Sequence, residues 1–420
     1  MDHNTVKASH VQVRRSTVAI VTFDDDGAGA RIRRLRKRAG LTQAEFGTRM
    51  SRSQGWVSGV EKGDLELDSV TLINRAARVL NVHPNEVTGR PYNPGSPTED
   101  RGHASITAIR RVVQRYDLPP DWPVEPRPIE QLRESVDELT WLRRVARYAH
   151  LGEAAPDVLR EVHAACHAAP AGPAAEALYG LLARAYKEAD AVAHALGYDD
   201  LSTLTTERFR WAAARSGDPR LVAIGDFLRV RELWALDLWS DAVEVIDSAL
   251  TGLAPEADRF DRSVWGSLQL RAAITTARAC DAPAAWDRVR YAQEAASSLE
   301  GGFDPYELTF TAANVQVHAV AVAVEMRDGA RALELAENTR LPRTLPPSRR
   351  SHYHLDVARG ALYHGDYDQA LVQLETAERT APMLVRNHPM ARSAVRALLT
   401  RQRISGERLR RIAERMHVKG

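Results

Sequence analysis

The chain has 420 residues, more than one ordinary domain accommodates, so two or three domains are expected. Its 57 Lys and Arg against 55 Asp and Glu leave it close to neutral, and 44% hydrophobic residues supply ample core. No apolar run reaches the roughly 18 residues that a membrane span needs. Two cysteines, Cys166 and Cys280, offer no disulfide framework, which suits a reducing compartment. The expected setting is the cytoplasm, with no membrane partner.

The apolar run Val18 to Phe23 is too short for a signal-peptide core and is followed by Asp24, Asp25 and Asp26. Residues 1–28 are expected to be a disordered extension. Charge is unevenly placed beyond them: residues 1–89 hold 14 Lys and Arg against 10 Asp and Glu, and six of the eight residues from Arg31 to Arg38 are basic. A first helix is predicted over Ala30 to Ala39, with Ile32 and Leu35 inward. The stretch Leu41 to Gly63 then reads as two short helices joined by a tight turn. Thr42 caps the first, with Glu45 completing a capping box, and Ser53 caps the second, which stops at Gly63. A helix across phosphates, a turn, and a helix able to enter a major groove make a helix-turn-helix, and the basic run just ahead of it suits phosphate contact. Leu72, Ala76, Val79 and Leu80 predict a fourth helix, and Pro84 starts a short fifth that ends near Gly89.

Residues 29–89 are thereby set apart as a five-helix DNA-binding domain. The stretch from Ile32 to Gly89 resembles the Cro/repressor, or xenobiotic-response-element, class of helix-turn-helix domain. The likeness is carried by Ile32-Arg-Arg-Leu-Arg-Lys-Arg-Ala-Gly-Leu-Thr-Gln-Ala-Glu-Phe46, by Arg52-Ser-Gln-Gly-Trp-Val-Ser-Gly-Val-Glu-Lys-Gly63 in the form common in actinobacterial members, and by Leu72 to Val82. The resemblance implies double-stranded DNA as partner. Gln43 at the start of the second helix would meet a phosphate or the other glutamine, and Gln54 and Gly55 at the start of the third would face base edges. A glutamine pairs bidentately with adenine. Arg52, Ser53, Trp56, Ser58 and Lys62 complete the expected DNA face. The resemblance also implies a structural ion pair between Arg36 and Glu61. Gly55 and Gly59 depart from the family's polar or basic side chains there, which shifts weight from base reading to phosphate and shape contacts.

Residues 90–128 read as a linker: Arg90 to His103 and Leu118 to Pro128 are rich in Pro, Gly and Ser, around an isolated connector helix from Ser105 to Tyr116. From Ile129 to the end, residues 129–420, the pattern is helical and repetitive. Tyr353 to Pro382 carries Ala358, Gly365-Asp366-Tyr367, Ala370, Leu374, Ala377 and Pro382, the small, aromatic and proline positions of a tetratricopeptide repeat. Weaker copies centre on Ala242, Ala285 and Ala332, at intervals that drift between 38 and 47 residues. The fold class expected is therefore all-α: a five-helix repressor-type head followed by a tetratricopeptide-like α-solenoid. Met390 to Met416 reads as two helices broken at Ser405-Gly406 that cap the solenoid's open end or serve as a dimerisation or gating helix.

His163, Cys166 and His167 lie within about one helical turn but lack an embedded acidic partner, and no metal site is assigned. No phosphate-binding loop, nucleophile elbow or dinucleotide fingerprint is present, so neither an enzyme nor a cofactor is expected. The reading is a homodimeric DNA-binding transcriptional regulator whose helical-repeat domain senses a peptide, small molecule or protein partner. Its architecture is similar to that of peptide-sensing regulators that join the same two modules. Aligning the repeats places Arg231, Trp234, Asn314, His352 and Arg359 on the concave face as ligand contacts. The alternative is an interaction scaffold in which the helix-turn-helix serves as a docking or dimerisation module.

Overall fold

The structure is a computed structural model that describes residues 28–65, 67, 70–80, 82, 86–87, 97–122, 125–299, 303–400, 406–416 and 418. Among these residues there are twenty α-helices and no strand, and no helix is long and apolar enough to cross a membrane. The expected extension over residues 1–28 and the linker residues before Pro97 lie almost wholly outside the described residues. Of the expected fifth head helix only 86–87 are described, and they are helical.

Four helices make the head: α1 (Ala28–Arg38), α2 (Gln43–Arg49), α3 (Gln54–Lys62) and α4 (Val70–Leu80). Local chemistry sets their ends. The Thr42 hydroxyl accepts the Glu45 N–H while the Glu45 carboxylate accepts the Thr42 N–H, closing a capping box on α2. Ser53 Oγ accepts the Trp56 N–H at 3.2 Å to start α3, and Gly63, at φ 84°, ends it in the left-handed conformation that glycine adopts without strain. Ile32, Leu35, Phe46, Val57, Val60 and Ala76 bury one shared core.

Helix α5 (Pro97–Gln114) begins within the stretch whose composition reads as linker, and it is not isolated. Ile106, Ile109 and Val113, spaced along one helical face, are buried in the large core of the following helices. Packing against α7, α8 and α9 thus overrides a composition that by itself favours extended chain.

Six helical hairpins follow: α6 (Ile129–Arg144) with α7 (Tyr148–Ala168), α8 (Pro173–Ala195) with α9 (Asp199–Ala213), α10 (Pro219–Ala235) with α11 (Trp239–Thr251), α12 (Arg259–Arg278) with α13 (Ala282–Ser297), α14 (Ala312–Glu325) with α15 (Gly329–Asn338), and α16 (Pro347–His364) with α17 (Tyr367–Thr380). Every hairpin uses one turn. Ala146, Gly197, Asp237, Cys280, Arg327 and Gly365, each two residues before a second helix, have positive φ. In the last three hairpins Asp281, Asp328 and Asp366 cap the second helix through their side chains. Ala242, Ala285, Ala332 and Ala370 each stand fourth in their helix, with 0% exposure, where the paired helices come closest. Each helix packs on its neighbour, and α6·α8, α10·α12, α12·α14 and α14·α16 also touch, so the first helices of the pairs form an inner layer of a solenoid-like stack.

The stack closes on itself. Helix α16 touches α6, and α18 (Pro382–Asn387) touches α8. The loop after α13 crosses the same gap: Arg143 on α6 donates to the Glu307 carbonyl and Lys187 on α8 to the Tyr306 carbonyl, at 3.3 and 2.7 Å. Two further helices, α19 (Pro389–Thr400) and α20 (Glu407–Arg415), end the chain's described part.

Helix α19 carries the head. Met390, 3% exposed, is part of the head core, and Ser393 Oγ donates to the Leu67 carbonyl at 3.0 Å. A third tie joins Arg78 on α4 to Asp237 in the α10–α11 turn at 2.7 Å. The terminal segment therefore does more than cover an open end.

One close approach gives a stability test. A Cβ on Gly329 would stand 2.6 Å from both the Gly360 carbonyl oxygen and the His364 nitrogen, backbone atoms that cannot swing aside. Gly329→Ala is expected to destabilise the solenoid by about 1–3 kcal/mol. Gly406→Ala, with nothing within 4 Å, should stay within about 0.5 kcal/mol of wild type in the same chemical denaturation series.

Candidate functional site

The DNA-facing residues expected from the sequence divide into two groups. Ser53, Gln54, Gly55 and Lys62 are exposed, and Ser58 is half-buried. They form one edge of α3 that a duplex can reach. Gly55 has open space around it, whereas a Cβ on Gly59 would meet the Leu65 side chain at 2.9 Å. Gly59 is thus fitted to the loop leaving α3, a packing reason for one departure from the expected polar residue.

Arg52 and Trp56 face elsewhere. The Arg52 guanidinium lies 5.8 Å from the Trp56 ring centroid, and Trp56 is half-buried. Both line a cavity of about 330 Å³ between head and solenoid, together with Leu65, Arg359, Tyr363 and Met390. Gln43 also turns inward, its amide donating to Glu61 Oε2 at 2.9 Å.

Glu61 is the hub of the head. Arg36 Nε and Nη2 donate to its two oxygens at 2.5 and 3.1 Å, and Arg36 Nη1 donates to the Leu41 carbonyl at 2.5 Å. The side chains are 8% and 3% exposed. Burial pushes the Glu61 carboxyl up, but the hydrogen bonds from Arg36 and Gln43 outweigh it and hold the pKa below its ordinary value. Within the basic run of α1, Arg36 is therefore structural, while Arg33 and Lys37 are exposed.

The residues aligned to the concave face, Arg231, Trp234, Asn314, His352 and Arg359, all lie on inner-layer helices, and their environments differ. Arg231 Nη2 meets Asp190 at 2.5 Å. Trp234 Nε1 donates to Thr275 Oγ1 at 3.0 Å, and the guanidiniums of Arg278 and Arg271 cover its ring at 4.2 and 4.9 Å. Arg359 is 5% exposed, its Nη1 shared between Glu325 and Asp356 at 3.1 and 3.2 Å. Asn314 is 2% exposed, with Oδ1 unpartnered, and so stands within the packing rather than on an open groove. His163 Nε2 donates to the Tyr116 carbonyl at 2.6 Å, and burial pushes the Cys166 thiol up to about 12. Among the described residues, no group of three or more His, Cys, Asp or Glu is placed to hold a metal ion.

Sequence alignment missed Lys187, His194, Arg271, Arg278, His318 and Arg349, which share the inner layer with Arg231, His352 and Arg359. A signal for most of them was present. Lys187 and His194, Arg271 and Arg278, His318 and Glu325, and His352 and Arg359 are spaced seven apart on α8, α12, α14 and α16, which is one helical face two turns apart.

Comparison with known proteins fits the head geometry. The helix-turn-helix domain family matches residues 28–88, and this part of the chain is a helix-turn-helix domain. Such a domain points to DNA as partner and to a DNA-binding regulator. No curated protein matches the chain. Among solved structures, the crystal structure of BtubC (BKLC) from P. vanneervenii is similar over 61% of this chain and 92% of that one, with 15% identity and a TM-score of 0.32.

Proposed function

We propose that this protein is a transcriptional regulator of the Cro/repressor-like class, without enzymatic activity of its own. Its tetratricopeptide-like solenoid senses an effector and thereby sets how a dimer's helix-turn-helix heads hold an operator. The observation that carries this reading is the free edge of α3, with Ser53, Gln54 and Lys62 exposed, on a head matched to the helix-turn-helix family. A route for control is supported by Arg359. It lines the cavity beside Arg52 and Trp56, and it pairs with Glu325 on the inner layer. A ligand that shifts α16 thus acts on the start of the recognition helix. Allosteric control also needs the ligand to bind two head arrangements unequally; a hundredfold change in operator affinity takes about 2.7 kcal/mol of differential binding.

The test is selection of duplexes from a random pool by the full-length protein, followed by affinity measurement on the selected site and on random DNA. Gln54→Ala should relax preference at one base position, costing about 1–3 kcal/mol on the selected site and little on random DNA. Lys62→Ala should weaken both alike and flatten the salt dependence by about one unit. Equal losses for Gln54→Ala on both DNAs would take it out of base reading. Failure to select any sequence would turn the head into a docking module and favour the scaffold reading.

A further inference from the structure

The interior of the closed stack holds a surplus of positive charge. His194 on α8 senses Arg231 on α10, Arg271 on α12, His352 on α16 and His388 after α18. Arg271 also senses Arg349 and Arg278, and His318 on α14 senses Arg349, Arg271 and His352. These side chains come from five inner-layer helices, α8, α10, α12, α14 and α16, in a stack whose ends meet.

Carboxylates neutralise part of this charge. Asp190 takes Arg231, and Glu325 takes Arg278 and Arg359. Among the described residues, neither Arg271 nor Arg349 has a carboxylate within salt-bridge distance. The Arg271 guanidinium is spread over the Phe227 and Trp234 rings at 3.8 and 4.9 Å, and its Nε has no hydrogen-bond partner.

The space is wet. His194 is exposed to solvent, and Arg271, His318, Arg349 and His352 are half-buried. Yet burial, reinforced by Arg231, holds His194 well below its ordinary pKa. Burial and Arg349 together lower His318 to about 3 and His352 to about 4. Solvent-accessible basic groups brought together on one layer give a field of a single sign.

Two of the histidines are held in one neutral tautomer, which leaves anion binding to the arginines. Nδ1 of His318 and of His352 each lie 2.8 Å from the backbone carbonyl four residues earlier, Asn314 and Ser348, and a carbonyl only accepts. Each Nδ1 therefore carries the proton, and Nε2 of each neutral ring is an acceptor that gives an anion no hydrogen bond.

We propose that this interior binds a compact small molecule carrying two or more negative charges, a phosphate ester or a polycarboxylate, held by the guanidiniums of Arg271 and Arg349. Guanidiniums give such groups paired, charge-assisted hydrogen bonds. Stability alone gives no reason to gather unpaired guanidiniums beside one another, since each adds repulsion and desolvation cost. The proposal names the effector class of the sensor reading above and rests on that reading for its regulatory consequence, though not for binding.

The test is titration calorimetry of the full-length protein with inorganic pyrophosphate and with citrate, ionic strength held constant with sodium chloride. Saturable binding of at least one probe is expected, with a matching rise in melting temperature. Pyrophosphate alone would mark a phosphoryl site and citrate alone a carboxylate site. Arg271→Gln and Arg349→Gln should each weaken binding about tenfold or more. Without anion, Arg349→Gln should melt no lower than wild type, because it removes repulsion. Arg290→Gln, an exposed residue on α13, should change nothing. No saturable binding of either probe, undiminished binding in both interior variants, or a lowered melting temperature for anion-free Arg349→Gln would overturn the proposal. Anion binding that leaves operator affinity unchanged would keep this site and remove the sensor reading instead.

Discussion

Glu61→Ala is expected to open the head locally at a cost of about 3–5 kcal/mol, and Arg36→Ala at a similar cost. Either change leaves the other charge in a site where the paired side chains are only 8% and 3% exposed. Removing Glu61 orphans three interactions at once, two from Arg36 and one from Gln43. Removing Arg36 also frees the Leu41 carbonyl at the entrance to α2. The measurement is native-state hydrogen exchange over α1 to α3 in the full-length protein, with the double variant Arg36→Met, Glu61→Leu as the deciding arm. Replacing both charges with apolar groups of similar volume should cost much less than either single change, because no charge is stranded. A pH series supplies the sign. The Glu61 carboxyl is held below its ordinary value of 4.5, so its stabilisation is complete above that pH and is lost as pH falls through the lower folded value. Exchange rates in the single variants within a factor of two or so of wild type would show that the pair does not hold the head.

Local chemistry made the head legible. Thr42, Glu45, Ser53 and Gly63 act on backbone groups two to four residues away, so their spacing alone determines what they do. The later hairpins were legible for a similar reason: an alanine fourth in the second helix is a local mark of close helix pairing. In α7 and α9 that position holds Leu151 and Ser202, both still buried, which is why α6 to α9 carry no repeat signature in sequence although they use the same turn. Closure of the stack was not legible. It depends on Arg143 and Lys187 reaching a loop more than a hundred residues away. The same long-range closure turns isolated arginines and histidines into one interior, and it explains why alignment of single repeats picked out Arg231 and His352 but passed over Arg271 and Arg349.

Met390→Asp is expected to release the head from the solenoid while leaving each module folded. Met390 lies on α19, outside the hairpins, yet it contributes to the core formed by Ile32, Val57 and Leu72. A carboxylate there enters the apolar head core and costs several kcal/mol, more than a surface ion pair returns. Two further ties among the described residues are a neutral hydrogen bond, Ser393 to Leu67, and the Arg78–Asp237 pair, whose side chains are 55% and 3% exposed. A neutral bond contributes about 0.5–1.5 kcal/mol and a pair with one exposed partner is of similar size, less than a buried charge costs. Small-angle scattering should report a larger radius of gyration, and hydrogen exchange should rise along α19 while α12 to α17 keep their protection. Ser393→Ala, which removes a single bond, should leave the scattering unchanged. The functional readout follows from the cavity that Arg52 and Trp56 share with Arg359. Once the head is free, a ligand in the solenoid has no contact through which to reach α3, and operator affinity should become the same with and without it. An undocked Met390→Asp protein whose operator affinity still follows the ligand would place the coupling outside this seam.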